Sequence, residues 1–258
     1  MITLDKLKNY LDKYMNFDPK LDAGKIDTYM ANGLMVKGKE KLEKVGFGVS
    51  ASLKLFEKAK EKNCDCLIVH HVFNLPKDFS YDPIFQNRFS YLIKNNISLF
   101  GYHFLLDSHP EVGNNSQILK KIGCTPKEYF YHQENPWGWS GEYEKEKSLS
   151  EITEVLNPLL SKRTIIYDFG PEKIKRAAAI SGKGAPHEMN RLIENNIDLY
   201  ITGEIHEWNR ELFREAHINC IAGGHYHTER FGIMALMEKV KEDLKDIQTE
   251  WLELENEV

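Results

Sequence analysis

The chain has 258 residues, of which 41% are hydrophobic and 28% are charged, a composition typical of a globular protein with one large domain or two modest ones. Its net charge of -5 argues against strong non-specific binding to nucleic acid, which needs many basic contacts to phosphates; only a local basic face would allow it. The chain lacks both an apolar run of about 18 residues, as a membrane span needs, and a signal-peptide pattern at its start, so we predict a cytoplasmic location.

Helices and strands alternate in the first half of the chain. Leucines and a tyrosine recur at helical spacing behind Thr3, which predicts an opening amphipathic helix. The predicted elements that follow are a strand over 45–49, a helix from Ser50, a strand over 66–69, a loop over 76–81, a helix through 85–93 and a strand over 97–102. This β-α-β-α-β order is typical of a sheet covered by helices.

The second half begins with a weaker pattern and then returns to alternation. Prolines, glycines and tryptophans between 125 and 147 indicate an irregular region with short strands, and Ser150 is the predicted N-cap of a helix through Leu160. The predicted elements that follow are strands over 177–181, 199–202 and 219–222, helices over 187–195 and 209–216, a long helix through 233–244 and an edge strand over 249–254.

The cysteines form no CxxC pair, which a structural zinc site or a redox motif would contain. We therefore interpret Cys64, Cys66, Cys124 and Cys220 as reduced thiols in or near strands.

The two halves of the chain resemble each other, which indicates an internal duplication of an α/β unit. Residues 63–71, ending in His70 and His71, correspond to residues 196–204, ending in Glu204. We align residues 96–103 with residues 218–225, because each segment ends in a histidine that a carboxylate follows four residues later.

Candidate ligands follow three of the predicted strands. His70 and His71 end the strand over 66–69, a position where α/β folds collect ligand sites. The alternative is that one of these histidines is packed and the other solvated. The two further pairs are His103 with Asp107, and His225 with Glu229; the carboxylate of Glu229 is predicted in the first turn of the last helix, behind Thr228 as N-cap.

Imidazoles and carboxylates in this proportion suit Zn, Fe, Mn or Ni rather than an oxygen-only Mg or Ca site. Five or more ligands exceed the needs of one tetrahedral ion, so we predict two ions about 3.5–4 Å apart that activate water for a hydrolysis. Other catalytic motifs are missing from the sequence, including GxSxG, Walker A and GxGxxG. The turn at Gly182–Gly184 is either a tight connection or part of an anion site at the next helix.

Several segments closely resemble the proteins called GTP cyclohydrolase 1 type 2 homologs, also known as the NGG-one-interacting-factor-three-like family. They cover nearly the whole chain and are weakest at about 126–170. The matching segments are NGL at 32–34, GVSAS at 48–52, LIVHH at 67–71, GYHFLLDSHPEVGNN at 101–115, ITGE at 201–204 and GGHYHTERFGIMAL at 223–236.

The resemblance implies two intertwined, pseudo-symmetric α/β domains with mixed sheets flanked by helices and a dinuclear metal site in the cleft between them. We place the first domain at residues 1–125 plus 218–258 and the second at 126–217. The family also implies a toroidal homohexamer that contains two divalent ions per chain.

The resemblance also implies a ligand set, namely His70, His71, Asp107, His225 and Glu229. The family pattern places His71 and Asp107 on one ion and His70 and His225 on the other, with Glu229 bridging them. His103 matches a family histidine that is not a usual ligand. We assign it a role in orienting a ligand or relaying a proton, with packing as the alternative.

Three further residues, Glu204, His206 and His227, are candidates near the site, with solvated or structural roles as the alternative. Val72 departs from the family, where many members have Gly or Pro after the histidine pair. This difference is expected to reshape the edge of the cleft and to leave the ligand set intact.

The family implies a metal-dependent hydrolase that acts through a metal-bound hydroxide on a nucleotide-like substrate, such as the guanine ring of GTP. The alternatives are a non-catalytic metal carrier or metal-responsive regulator, and a nucleic-acid clamp, against which the acidic net charge argues. The sequence shows neither a base-reading pocket nor a cluster of arginines for a triphosphate, so the substrate is a family-level inference.

Overall fold

A computed structural model describes residues 1–73, 80–187, 189–254 and 256–257. It shows a mixed α/β protein with mixed sheets flanked by helices, which confirms the predicted fold class. Within the described part of the chain, no helix combines the length and the apolar character that a membrane crossing requires.

The chain divides into two compact units. Unit 1 comprises Met1–Leu106 and Ile233–Glu255, and unit 2 comprises Asp107–Gly232 and Asn256–Val258. The domain boundaries that we place near 125 and 217 from the sequence stay a prediction.

Unit 1 is built around a five-stranded sheet. The strands of unit 1 are β1 (Ile2–Thr3), β2 (Gly33–Val36), β3 (Lys41–Leu42), β4 (Lys44–Ser50), β5 (Cys66–His71), β6 (Ser98–Gly101) and, near the end of the chain, β13 (Gln248–Trp251). Strands β1 and β3 pair antiparallel in a separate two-stranded sheet. The helices of unit 1 are α1 (Leu4–Met15), α2 (Ala23–Ile26), α3 (Leu53–Glu61) and α4 (Pro83–Lys94). The order of the five-stranded sheet is β13-β4-β5-β6-β2, with β2 antiparallel to β6 and the other neighbours parallel.

Burial on both faces explains why the central strands of unit 1 read as continuous apolar runs. Leu67, Ile68 and Val69 of β5 are fully buried. The opening helix is confirmed, because Thr3 caps α1 by accepting a hydrogen bond from the Lys6 N–H at 3.1 Å. Of the loop predicted over 76–81, residues 76–79 lie outside the described residues.

Unit 2 contains a six-stranded sheet. Its strands are β7 (Thr125–His132), β8 (Asn135–Lys147), β9 (Ile165–Tyr167), β10 (Ile174–Ile180), β11 (Leu199–Thr202) and β12 (Asn219–Ala222). Its helices are α6 (Asn114–Lys121), α7 (Leu149–Leu156), α8 (Asn190–Glu194) and α9 (Asn209–Ala216), with a 3-10 turn at Asn157–Leu159. The sheet order is β7-β8-β10-β11-β12-β9. The division between the units falls within two further helices, α5 (Phe104–Ser108) and α10 (His225–Asp243).

The prediction of an irregular region over 125–147 is wrong, because β7 and β8 form a long antiparallel hairpin. Gln133 and Glu134 make its turn with φ of 47° and 64°. Gly141 lies within this hairpin. A Cβ at this position would lie 2.2 Å from the Thr125 carbonyl oxygen, so the glycine allows the two strands to approach closely.

Three predicted helix starts are also wrong. The N-cap of α7 is Ser148, which forms a capping box with Glu151, rather than Ser150. Helix α10 begins at His225, so Thr228 lies inside it and donates its hydroxyl to the Gly224 carbonyl. The helix predicted over 187–195 covers only Asn190–Glu194 among the residues described there.

The internal duplication is visible in the two sheets. Each contains three parallel strands joined by helices, β4-β5-β6 in unit 1 and β10-β11-β12 in unit 2, with an antiparallel strand beside the third. Asp65 and Asp198 precede equivalent strands, and each accepts hydrogen bonds from two consecutive backbone N–H groups that lie at the beginning of the neighbouring strand or directly before it.

The structure shifts the predicted alignment of residues 96–103 with residues 218–225 by one position. Strand pairing places Ser98 opposite Cys66 and Asn219 opposite Leu199, and Asn96 and His217 share a positive φ of 52° and 54°. His103 therefore corresponds to the residue before His225, because unit 2 has one more residue between the end of its third strand and this histidine.

Candidate metal centre

Three histidine rings cluster at the carboxyl ends of two neighbouring strands of unit 1. His70 and His71 end β5, and His103 follows β6. Their ring centroids lie 4.6 to 5.3 Å apart, and one nitrogen of each ring lies within 4.8 Å of the others. Three nitrogens at such distances can converge on one transition-metal ion.

Each ring of this cluster is held through its Nδ1 atom. Nδ1 of His70, which is fully buried, donates to the Tyr102 carbonyl at 2.9 Å. Nδ1 of His71 lies 2.9 Å from the Ser50 hydroxyl. A partner on one ring nitrogen fixes the orientation of the ring and directs the other nitrogen, Nε2, at a metal.

Nδ1 of His103 lies 2.7 Å from a carboxylate oxygen of Asp27, a residue that is itself buried. Burial alone would raise the pKa of the Asp27 carboxyl group, but the hydrogen bond and the charge of His103, together with the Phe104 N–H, lower it. The predicted role of His103 beside the ligands stays a prediction.

In unit 2, His225 lies between two carboxylates. Its Nδ1 is 2.6 Å from a carboxylate oxygen of Glu204, and its Nε2 is 3.0 Å from a carboxylate oxygen of Glu229. Glu229 follows His225 by one helical turn in α10 and is buried. Burial alone would lower the pKa of His225, but Glu229 and Glu204 raise it to about 9.

Gly182 gives these side chains their space. It has a φ of +59°, and a Cβ at this position would lie 2.2 Å from Glu229 Oε1 and 3.0 Å from His225 Nε2. Its N–H donates to the hydroxyl of Thr228 at 3.0 Å, one residue before Glu229. The glycine turn that we noted in the sequence therefore lies directly against two candidate ligands.

Asp107, also in unit 2, is a buried carboxylate with a fixed orientation. Its Oδ1 accepts hydrogen bonds from the Asn114 side-chain amide at 2.9 Å and from the Ser181 hydroxyl at 3.0 Å. The Asn114 side chain is in turn fixed by the Gly232 N–H, and Asn115 binds the Ser181 N–H. This network explains why the GNN sequence at 113–115 accompanies Asp107.

The donors in both units suit a transition metal. Oriented imidazoles and buried carboxylates are the ligands that Zn, Fe, Mn and Ni accept. A buried carboxylate beside an imidazole whose pKa is raised also indicates a place where a cation is stabilised. The cysteines are not donors of this kind, because all four are unlinked and buried, and burial raises the pKa of Cys64 and Cys124 to about 12.

The remaining candidates differ in their surroundings. Glu204 holds His225, whereas the His206 ring stacks on Trp208 with centroids 5.3 Å apart. His227 contacts the Tyr226 ring. Val72 is buried, and its Cγ1 lies 2.3 Å from where a Cβ of Gly101 would stand.

A cavity of about 210 Å³ in unit 2 is lined by residues that include Phe130, His132, Arg191 and Tyr200, none of which is a predicted ligand.

Sequence reasoning missed the residues that hold the histidines. Ser50 is predicted only to start a helix, and Asn32 appears only in the matching segment NGL. Asp27 lies in a segment without periodicity. The available signal was that β4 neighbours β5, which puts a polar residue at its end near the histidine pair.

The fold and these groups define a class: mixed α/β proteins in which imidazoles and carboxylates at strand ends can hold divalent metal ions. Comparison with known proteins gives the family. The chain belongs to the Duf34/NIF3 (NGG1p interacting factor 3) family, whose model matches residues 2–257, and this confirms the predicted resemblance.

Relatives named GTP cyclohydrolase 1 type 2 homolog share about a third of the sequence. The Archaeoglobus fulgidus protein is 36% identical over 244 residues, which cover 94% of this chain and 95% of the relative. The Pyrococcus horikoshii protein is 37% identical over 243 residues, 92% of this chain and 93% of the relative. The solved structure of a protein called ybgI, described as of unknown function, has a TM-score of 0.86 and 30% identity and covers 100% of both chains.

Proposed function

We propose that this protein binds two divalent metal ions and acts as a metal-dependent hydrolase on a nucleotide-like substrate. The observation that carries the proposal is the cluster of His70, His71 and His103, in which each ring is held through Nδ1 by a different protein group. Metal-ligating histidines almost always have such a partner, and here one nitrogen of each ring also lies within 4.8 Å of a nitrogen of the other two.

The proposed ligand set follows the family pattern. His71 and Asp107 would hold one ion, His70 and His225 the other, and Glu229 would bridge them. The burial of Asp107 and Glu229 supports this set, because a buried carboxylate needs a compensating charge. When bound, two such ions would lower the pKa of a water molecule and polarise the bond under attack.

Residues of the chain would prepare this chemistry. Glu204 and Ser50 would orient the imidazoles of His225 and His71, and the hydrogen-bonded carboxylate of Asp107 would keep one direction. His103 would relay a proton or orient a ligand. The relatives' name suggests GTP as the first substrate to test, with opening of its guanine ring as the reaction.

The assembly and the location belong to the same proposal. We propose a toroidal homohexamer in the cytoplasm, without a membrane or nucleic-acid partner. The molecular mass in solution would test the assembly, with about six chains of 30.0 kDa as the expected result.

The decisive experiment measures metal content and GTP turnover on the same chelator-free samples. It compares the wild type with Glu229→Ala and with Glu238→Ala, a matched control in the same helix whose side chain is 61% exposed. We expect about two ions per chain in the wild type and the control, a sharp loss in Glu229→Ala, and turnover that depends on the metal.

The other outcomes decide between the proposal and its alternatives. The same metal content without turnover of any nucleotide would favour a metal carrier or regulator. Transfer of the ion to an acceptor protein would support that alternative directly. A wild type without metal after reconstitution would contradict both.

A further inference from the structure

The side chains of Asp27 and Asn32 both form hydrogen bonds with the segment that starts with His103. The carboxylate of Asp27 is 2.7 Å from His103 Nδ1 and also accepts the Phe104 N–H at 3.3 Å. The amide oxygen of Asn32 accepts the N–H groups of His103 and Leu105 at 3.1 and 3.2 Å. Three consecutive N–H groups at the start of α5 are therefore bound by two side chains about 70 residues earlier in the sequence.

The hydrogen bonds of Asn32 and those of Asp27 have different effects on this segment. Hydrogen bonds to N–H groups cap a helix start and stabilise the fold, and Asn32 makes only these to the segment. Asp27 also contacts the ring of His103. An ionised carboxylate accepts hydrogen bonds only, so Nδ1 must carry a hydrogen, and in the neutral ring Nε2 then has the lone pair.

We propose that Asp27 is a positioning residue for His103, which fixes the ring with its hydrogen on Nδ1 and Nε2 directed at the histidine cluster. The geometry supports this. Asp27 is 8% exposed, the oxygen-to-nitrogen distance suits a charge-assisted bond, and the His103 ring lies 4.8 Å from the His70 ring and 5.3 Å from the His71 ring.

This arrangement makes the three rings alike. His70 has a carbonyl beside Nδ1, His71 a hydroxyl and His103 a carboxylate, and one nitrogen of each ring lies within 4.8 Å of a nitrogen of the other two. The consequence for metal binding and turnover rests on the proposed function, whereas the tautomer of His103 is a property of the metal-free chain.

The test is magic-angle-spinning NMR of the full metal-free chain labelled with 15N-histidine. His103→Gln identifies the His103 signals by difference. In the wild type, with the ring neutral, we expect a protonated Nδ1 and an unprotonated Nε2. Asp27→Ala should lose this preference, and Asp27→Asn, which retains an acceptor oxygen, should restore it.

Two controls separate positioning from capping. Asn32→Ala removes caps of the same segment and the 3.4 Å hydrogen bond from Asn32 Nδ2 to Asp27 Oδ2; it should lower stability without changing the tautomer, because the contact between Asp27 and His103 is retained. Asp22→Ala removes the exposed N-cap of α2, which accepts the Lys25 N–H; it should lower stability as the loss of a cap does and leave the tautomer unchanged. Wild-type nitrogen shifts in Asp27→Ala would overturn the proposal, and if that variant does not fold, an Nε2–H tautomer in the wild type or in Asp27→Asn would do so.

A second readout uses Zn²⁺ affinity by competition with a chelator. Because His103 lies beside the proposed ligands and is not one of them, Asp27→Ala should weaken Zn²⁺ binding by less than the roughly 10–100-fold that loss of a partner behind a ligating histidine costs, and Asp27→Asn should recover most of the loss. If the wild type binds no Zn²⁺, the proposed function fails while the NMR result still decides the role of Asp27.

Discussion

Replacing Gly182 by alanine should separate metal binding from folding. The new Cβ would lie 2.2 Å from Glu229 Oε1 and 3.0 Å from His225 Nε2. The carboxylate oxygen would have to move by roughly 1 Å to reach ordinary van der Waals contact. Because Oε1 is the end of a flexible side chain, the movement is expected to displace Glu229 rather than unfold unit 2.

Two costs follow from this substitution. The φ of +59° at Gly182 belongs to the left-handed region, where alanine costs about 1–2 kcal/mol relative to glycine. A loss of this size lowers the Tm of a chain this long by roughly 2–8 °C. Displacement of a proposed bridging ligand should weaken metal binding by roughly 10–100-fold.

Gly123→Ala is the matched control. Gly123 has a φ of +75°, so alanine meets the same backbone strain, but its Cβ would meet only the Lys147 side chain, which ends 3.0 Å away. Thermal unfolding and metal analysis should show a similar drop in Tm for both variants and a loss of metal in Gly182→Ala alone. Wild-type metal content in Gly182→Ala would refute the assignment of Glu229, and an equal metal loss in Gly123→Ala would refute the local explanation.

Three further substitutions test the supporting contacts. Ser50→Ala should weaken metal binding by roughly 10–100-fold with little change in Tm, because it removes the partner of His71 Nδ1; unchanged affinity would contradict this role. Asn114→Ala should lower the free energy of unfolding by about 1–3 kcal/mol and release Asp107, measured by urea unfolding and metal content. Burial alone would raise the pKa of Asp65, but a lysine and two backbone N–H groups lower it, so its contribution is present above the unfolded pKa of about 3.9 and is lost as the pH falls through the folded value. Asp65→Asn should therefore destabilise at pH 7 and converge with the wild type in acid; an equal difference at both pH values would contradict the linkage.

The sequence predicts the strands of both sheets well where they are buried on both faces. A run such as Leu67–Val69 is apolar without interruption, and few structures other than a central strand suit it. The hairpin of β7 and β8 was missed because Pro126, Pro136 and Gly141 normally interrupt a strand. In the structure both prolines are second residues of their strands, and the glycine allows close approach.

The candidate ligands could be found from the sequence because they follow strands, whereas the residues that orient them could not. Asp27 lies 76 positions before its partner His103, and Ser50 lies 21 before His71. No local pattern connects residues at such separations, since the contact exists only after the sheets have formed. Their identification requires the topology of each unit.

The duplication explains how one scaffold produces two different groups of ligands. The strand registers make Ser50 and Gly182 equivalent, and likewise His71 and Glu204. In unit 1 the serine holds the ring of the neighbouring histidine, and in unit 2 the glycine leaves room for Glu229. The repeated part of the sequence is what builds the sheet, so positions at strand ends where the halves differ are the ones that carry the chemistry. If this is correct, substitutions that make the halves alike at these positions, such as Ser50→Gly, should retain the fold and lose metal.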